Sequence, residues 1–426
     1  MWIPLSRAVS TWAVLLTLAT GVRAETVSLL DVQPISLDDA IAKTLASNPE
    51  LLAFGYQLEA AQGRVQQAGL APNPELAVSV QDVLGTGDFQ GIDSAETTIS
   101  LAWVFERGVR EYRVTAAQAS ASLFGTEAEI LRVDIAAETA RRFLTVLANY
   151  ARAATASEAA RLAEETVSAV RRRVEAGRTP QADLARAEAE LAFAKLAQED
   201  IEHELVIARH RLAAQWGETK PKFTFLRGDP FVLPGAIPLE SLRKQVEQNP
   251  EMARYLSKER LAEAELRLAE AQRKPAWEAH VGVRRFDFTD DHALVTGITI
   301  PLAVRNRNQG RISEAHAFIE QTRAGAAAAR VRIETTLFVL YEALQHSMHR
   351  ANVLRSEIIP RLESALVETR AAYELGRYSY LEWRVVQAEL IEARRELIEA
   401  SIDAHRHVIE IERLTGVRVA RTGTTQ

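Results

Sequence analysis

The sequence predicts a mainly α protein with a small β part, in which long antiparallel helices carry four strands per chain and the arrangement occurs twice in tandem. Three observations predict it. Asn48-Pro49-Glu50 returns as Asn249-Pro250-Glu251, and three further matches downstream share one offset of 199 residues. From Arg110 to Ala176 the chain has no proline and only Gly125 as a glycine, which as a helix at about 1.5 Å per residue would run roughly 100 Å. Four short runs alternate apolar and polar residues with the period of a strand.

Taken in order, the chain opens with Arg7, an apolar run Val9–Thr20 and a small-residue close at Val22-Arg23-Ala24. That is the form of a secretory signal, so residues 1–24 are expected to be removed after Ala24. Losing Arg7 and Arg23 and no acid shifts the formal charge from -6 to -8. An acidic chain with no basic block does not suit nucleic acid, where phosphate contacts demand clustered Lys and Arg. The cysteine count is zero, which excludes disulfides, thiolate metal sites and a lipidated cysteine. No later stretch approaches 18 apolar residues, so entry into a membrane is expected only as strands of a closed barrel.

The first repeat, 25–217, begins with a short helix over Leu37–Ala46 and a charged helix that ends before Pro74. Leu76, Val78 and Val80 then share one strand face, and Thr97, Ile99, Leu101, Trp103 and Phe105 share one face of the next, across a glycine-rich turn from Gly85 to Gly91. The long arm follows, and its return starts at Pro180 and reaches Gln215, with Leu184, Ala187, Leu191, Ala194 and Ile201 forming an apolar seam.

A crossing segment, 218–238, carries Pro221, Pro230, Pro234 and Pro238 and ends the repeat. The second repeat, 239–416, restates the order. A helix spans Leu239–Val246, and Pro275 closes the charged helix. Trp277, Ala279, Val281 and Val283 alternate on one strand, and Leu294, Thr296, Ile298, Ile300 and Leu302 on the next. The arms run Arg311–Leu375, with a kink expected at Pro360, and Leu381–Leu414. The polar tail 417–426 is expected to be disordered.

Strands of roughly ten residues, apolar on one side and polar or small on the other, suit a barrel wall with lipid outside and water inside. Trp103 and Trp277, near strand ends, suit an aromatic girdle. Four strands cannot close a barrel with a lumen, and open edges in lipid would leave backbone groups unpaired at several kcal/mol each, so several chains must share one barrel. The motifs of catalysis are not found: no Gly-x-Ser-x-Gly elbow, phosphate loop, dinucleotide fingerprint or His-Glu-x-x-His. His346 and His349, or His405 and His407, could touch an ion, but two ligands make a poor metal site, and no metal or cofactor is expected.

The duplicated order, the twin Asn-Pro-Glu signatures, Pro74 and Pro275, and the turns at Gly177 and Gly376 resemble the TolC family of outer-membrane efflux proteins over essentially the whole mature chain. The segment Pro301–Gly310 resembles the strand-to-helix junction of its cobalt-zinc-cadmium branch. The resemblance implies a homotrimer whose twelve-stranded outer-membrane barrel continues into a periplasmic helical tunnel. It implies a passive exit duct rather than an enzyme, docked through a periplasmic adaptor on an inner-membrane pump of the resistance-nodulation-division class. By position, Gly177 to Asp183 and Gly376 to Glu382 become the periplasmic tip and gate. The family prototype closes its pore with two acids one helical turn apart; here Glu382 matches the first, and Val385 replaces the second. Asp183 is a further candidate for charge at the tip, although both acids also suit a helix N-terminus. Two alternatives remain open on sequence: the outer duct of a protein secretion system, and a periplasmic coiled-coil scaffold without a pore.

Overall fold

Local sequence dictates where each element starts. The computed structural model describes residues 34–106, 108–235 and 238–416; the expected signal 1–24 and the tail 417–426 lie outside the described residues. In chain order the elements are α1 (Leu37–Ser47), α2 (Pro49–Ala68), β1 (Glu75–Gln81), β2 (Glu96–Phe105), α3 (Val109–Glu175) and α4 (Gln181–Ala213). The second half has α5 (Leu239–Gln245), α6 (Pro250–Ala271), β3 (Trp277–Phe286), β4 (Asp291–Thr299), α7 (Gln309–Val353), α8 (Ile359–Glu374) and α9 (Tyr380–Thr415). A single π-helical turn, Leu354–Ile358, joins α7 to α8.

The repeated Asn-Pro-Glu is a splice between helices. Asn48 accepts from the backbone N–H groups of Glu50 and Leu51 at 2.9 and 3.2 Å, capping α2, while its amide donates to the carbonyl of Gln215 at the end of the α4 segment, 2.7 Å away. Pro49 occupies the first helical turn, where no N–H is needed. Asn249 repeats all of this, accepting from Glu251 and Met252 and donating to the Leu414 carbonyl in the last turn of α9. The side chains of Asn48 and Asn249 are buried, so each hydrogen bond stands in for water that is absent. Gly217 and Gly416, with φ of 80° and 70°, end the incoming helices in the left-handed conformation that glycine adopts freely.

The splices help to arrange seven of the described helices in four columns. One column is α4 continued by α2; then come α3, α9 continued by α6, and α7 continued by α8. α3 packs between α4 with α2 on one side and α9 with α6 on the other, and α7 and α8 complete the row against α9 and α6. Neighbouring columns are antiparallel, and the row is a wall rather than a bundle around one core. Its core is correspondingly divided into successive layers of alanine and branched aliphatic side chains between columns.

Midway along the wall, α1, the crossing segment and α5 form a collar. Ala40 and Thr44 of α1 are fully buried against α3, and Leu242 of α5 is buried with Ile333 and Leu337 of α7. Phe231 and Leu233 of the crossing segment lie against the same columns. Among the described residues no helix is long and apolar enough to cross a membrane.

At one end of the wall the four strands form one antiparallel sheet, β1-β2-β3-β4. β4 stops at Thr299, so Ile300 and Leu302, expected on the strand, lie just beyond it. The physical reason is local: Pro301 has no N–H to extend the ladder, and the last paired residue, Thr299, sits opposite Glu278 near the start of β3.

Candidate functional site: a sheet end and a hairpin tip

Register decides which side chains share a face of the sheet. Leu76 pairs with Leu101, Val78 with Ile99, Leu101 with Val281, Ile99 with Val283, and Val283 with Leu294. Thr296 and Ile298 continue this face opposite Val281 and Ala279. The result is one continuous, largely apolar surface that none of the described residues covers: Leu76 is 69% exposed, Leu294 72% and Ile298 68%. Left in water, a patch of this kind would be a liability; it needs an apolar neighbour.

The other face is polar and close-packed. Arg284 pairs with Glu96 at 2.7 Å and donates to Thr98 at 3.0 Å. Gly282 is required there, because a Cβ would lie 2.5 Å from the Ile99 carbonyl oxygen, and Gly297 makes room for the ring of His280. Trp103, Phe105 and Trp277 gather at the end of the sheet where the helices begin, Phe105 directly opposite Trp277. Among the described residues, the outer edges of β1 and β4 are unpaired.

The opposite end of the wall is made by two hairpin turns. Gly177 and Gly376, with φ of 66° and 78°, close the α3–α4 and α8–α9 turns, and Arg178 and Arg377 donate back to the carbonyls of Arg173 and Ala372. Below them one buried cluster draws on all four columns: Val167 and Val170 of α3, Leu184 and Ala187 of α4, Tyr373 of α8, and Tyr380 and Trp383 of α9. Tyr373 and Trp383 lie with ring centroids 5.0 Å apart, a contact worth about 0.5–1.5 kcal/mol beyond the area it buries. Burial raises the phenols of Tyr373 and Tyr380 above their ordinary range, so both stay neutral.

Arg173 clasps the two hairpins. Its guanidinium lies 4.8 Å from the Tyr373 ring, donates to the carbonyls of Tyr373 and Glu374, and reaches Thr179 of its own turn at 3.3 Å. It thereby caps the end of α8 from α3. Ion pairs extend the seam along the wall: Arg370 to Glu165 at 3.0 Å, Arg384 to Glu190 at 2.6 Å and Arg152 to Glu399 at 2.6 Å.

Comparison with known proteins decides what this two-ended wall is. Residues 40–218 match the family described as outer membrane efflux protein. The chain is 27% identical over 383 residues to the cobalt-zinc-cadmium resistance protein CzcC of Cupriavidus metallidurans, covering 90% of each chain. The first repeat matches the outer-membrane efflux protein family, and the likeness to CzcC runs on through the second. It is also 27% identical to the nickel-cobalt-cadmium resistance protein NccC of Alcaligenes xylosoxydans xylosoxydans, over 74% of this chain and 72% of that one. Its fold is that of the outer membrane protein VceC of Vibrio cholerae, with a TM-score of 0.71 at 19% identity, covering 90% of this chain and 97% of that one. The efflux protein is therefore an outer-membrane channel subunit with a periplasmic helical extension, and not an enzyme.

Within this efflux protein the residues expected from sequence fall as follows. Leu76, Val78, Val80, Ile99, Leu101, Trp103, Trp277, Val281 and Ile298 lie on the one apolar sheet face, and Ile300 lies beside it. Gly177, Asp183, Gly376, Glu382 and Val385 all fall at the hairpin end. The Glu382 carboxylate turns back onto its own helix, accepting from the backbone N–H of Ser379 at 2.7 Å and from its hydroxyl at 2.8 Å. Those bonds hold its carboxyl below the ordinary carboxylate range. Val385, one turn on, is exposed. Sequence reasoning missed Arg173 and the tyrosine–tryptophan pair; nothing in a single arginine on a charged helix distinguishes a clasp from a solvated face.

Proposed function

We infer that three copies of this chain close into one duct that serves as the outer exit of a tripartite system exporting divalent metal cations. The observation that carries the inference is the likeness to a cobalt-zinc-cadmium resistance protein over 90% of both chains. Channels of this family work as trimers in tripartite pumps. The geometry supports closure in three ways. β1 and β4 have open edges and run in opposite directions, so β4 of one copy can continue antiparallel into β1 of the next. The outer columns carry exposed apolar side chains, Phe193 and Leu196 on α4, Val331 and Val339 on α7, that need partners. Both contacts are head-to-tail, the kind that generates a ring when the rotation closes.

In this reading the apolar sheet face meets the lipid of the outer membrane and the polar face, with Glu96, Arg284 and His280, lines water. The hairpin end meets a periplasmic adaptor, which links the duct to an inner-membrane pump of the resistance-nodulation-division class. Selectivity belongs to the pump, and the duct supplies a sealed path with a tip that opens. Gly177 to Asp183 and Gly376 to Glu382 form that tip. Because Glu382 serves its own helix and Val385 carries no charge, closure rests on the clasp and packing around Arg173, Tyr373 and Trp383 rather than on an acidic ring.

The test is a host stripped of its own exporters and given the cognate pump and adaptor. Adding this chain should raise tolerance to cobalt, zinc or cadmium and lower cell-associated metal. Equal tolerance without the chain, or protection only against organic solutes, would overturn the metal assignment.

A further inference from the structure

The two strand-to-helix junctions occupy equivalent places in the repeat but are filled differently. Gly108 and Asn308, both left-handed with φ of 78° and 59°, precede α3 and α7 at an offset of 200 residues. In the first half Arg113 fills the space behind this junction. It donates to the carbonyls of Ala68 and Leu70 at 2.9 and 3.0 Å and pairs with Glu106 at 2.8 Å, so among the described residues the space is filled and the guanidinium is balanced by a carboxylate.

In the second half the side chains that fill this space have changed. Ser313 stands at the position of Arg113 and Asn306 at that of Glu106, and Arg273 follows the end of α6 where Leu70 follows α2. The α6 carbonyl at Ala269 is taken by Asn308 instead, at 2.7 Å. What remains is an open groove of about 530 Å3 lined by Arg273, Arg305, Arg307, Ser313 and His316. Arg273, Arg305 and Arg307 are exposed and have no acidic partner among the described residues. Three unpaired guanidiniums around one concavity call for an anion, and guanidinium geometry suits phosphate.

Two features say where that phosphate comes from. Leu302 and Val304, 81% and 68% exposed, sit in the same junction, between the end of β4 and the start of α7 and interleaved with the groove's Arg305 and Arg307. A soluble anion would gain nothing from them, whereas a lipid has both a phosphate and acyl chains. The groove also opens on the collar side of the wall: Arg330, two heptads beyond His316 on α7, pairs with the collar's Glu247. A collar on the inner side of the tube would obstruct it, so this side is the outer surface, at the level where Trp277 marks the end of the sheet.

We propose that each chain binds one phospholipid of the periplasmic leaflet, its phosphate held by Arg273, Arg305 and Arg307 and its acyl chains laid against Leu302 and Val304. The proposal rests on the apolar sheet face meeting lipid. It predicts an asymmetric channel, with one lipid anchor under the second hairpin of each chain and none under the first.

The test uses the full-length trimer purified from outer membranes, stripped of lipid in detergent and titrated with dioleoyl-phosphatidylglycerol under native mass spectrometry. The wild type should take up one lipid per chain. Dioleoylglycerol, which lacks the phosphate, should not bind, and inorganic phosphate should not compete. The combined R273Q, R305Q and R307Q variant should weaken lipid binding by about tenfold or more. Should that variant fail to assemble, Ser313→Arg, which restores the plug of the first half, should block binding in an assembled trimer. Unchanged lipid affinity in the assembled variants overturns the proposal. So does equal competition by inorganic phosphate, which would make the groove a soluble-anion site, or arginine variants that break the trimer while the wild type takes no lipid, which would make it a subunit contact. A wild type absent from the outer-membrane fraction would instead sink the membrane reading on which the proposal rests.

Discussion

The two hairpins span the same distance by different means. The first descends in one uninterrupted helix, α3, of 67 residues, whereas the second covers residues 309–374 as α7, a π turn and α8. The interruption has a chemical cause. Pro360 has no N–H to give the carbonyl one turn back, and in the π turn the N–H of Ile359 reaches the Leu354 carbonyl instead, five residues away, so the missing donor is stepped over. The turn is tethered to the collar: Arg355 donates to the Phe231 carbonyl and lies 5.9 Å from its ring. Duplication thus produced one stiff arm and one jointed arm. A tip that opens is predicted to move the second hairpin against the first.

The largest effects should come where the halves are alike. Asn48→Ala and Asn249→Ala each remove a helix cap and leave the carbonyl at the splice unpaired. Each should cost about 2–4 kcal/mol, combining a cap of about 1 kcal/mol with a buried unpaired group of about 1–3 kcal/mol. Thermal unfolding of the detergent-solubilised trimer should drop by similar amounts for both. A large loss for one and none for the other would show that only one column depends on its splice.

The halves should separate at the joint. Backbone amides of residues 354–359 and 361 are expected to exchange faster than those at the matching height of α3, because a π turn at a proline lacks a regular ladder. Pro360→Ala restores the donor and should slow exchange there by about tenfold, equivalent to about 1.4 kcal/mol. It should also reduce the frequency of opening in planar bilayers. Unchanged exchange after the substitution would mean that the collar, not the proline, sets the turn.

How much of this was legible in the sequence follows from what each feature depends on. The duplication, the arms, the strand faces and the tips could be read because periodicity and turn glycines are local properties: Gly177 and Gly376 announce left-handed turns wherever they occur. The joint was half legible, since Pro360 announces an interruption but not its π geometry. The splice was visible only as a recurring signature; that Asn48 reaches Gln215 depends on chain ends far apart in sequence. Arg173 was not legible, because its meaning comes from Tyr373, on the other repeat. Glu382 was legible only as two possibilities, and Ser379, three residues before it, is the local signal for the capping box that the structure contains.

The clasp joins the two arms and should have an intermediate effect. Arg173→Ala removes the cap on α8 and the cation–π contact, a loss of about 1–2 kcal/mol at the tip alone. Open events in single-channel recordings should become several times more frequent, and thermal stability of the whole trimer should hardly change. Arg173→Lys keeps the charge but not the forked donor and should recover only part of the closure. A variant that conducts like the wild type would mean that packing of Tyr373 on Trp383 suffices to keep the hairpins together.

The smallest difference between the halves lies in protonation. His407 of α9 sits half-buried, its Nδ1 3.5 Å from the hydroxyl of Ser347 on α7, and the matching position of the first repeat is buried Ala208. Burial is the larger influence on the imidazole and holds its pKa below the ordinary 6.5, with Arg406 adding to the shift and Asp403 opposing it. The unfolded chain therefore takes up a proton first as pH falls. Stability from the neutral ring is complete above pH 6.5 and declines as pH drops from there through the folded value. Solvent screening keeps the effect below about 1 kcal/mol. Amide protection relative to the intrinsic exchange rate at each pH should fall between pH 7.5 and 5.5 at the α7–α9 seam of the wild type more than at the α3–α4 seam, and His407→Gln should remove the excess. If the two seams respond alike, the pH response belongs to the shared wall and not to the histidine that distinguishes its second half.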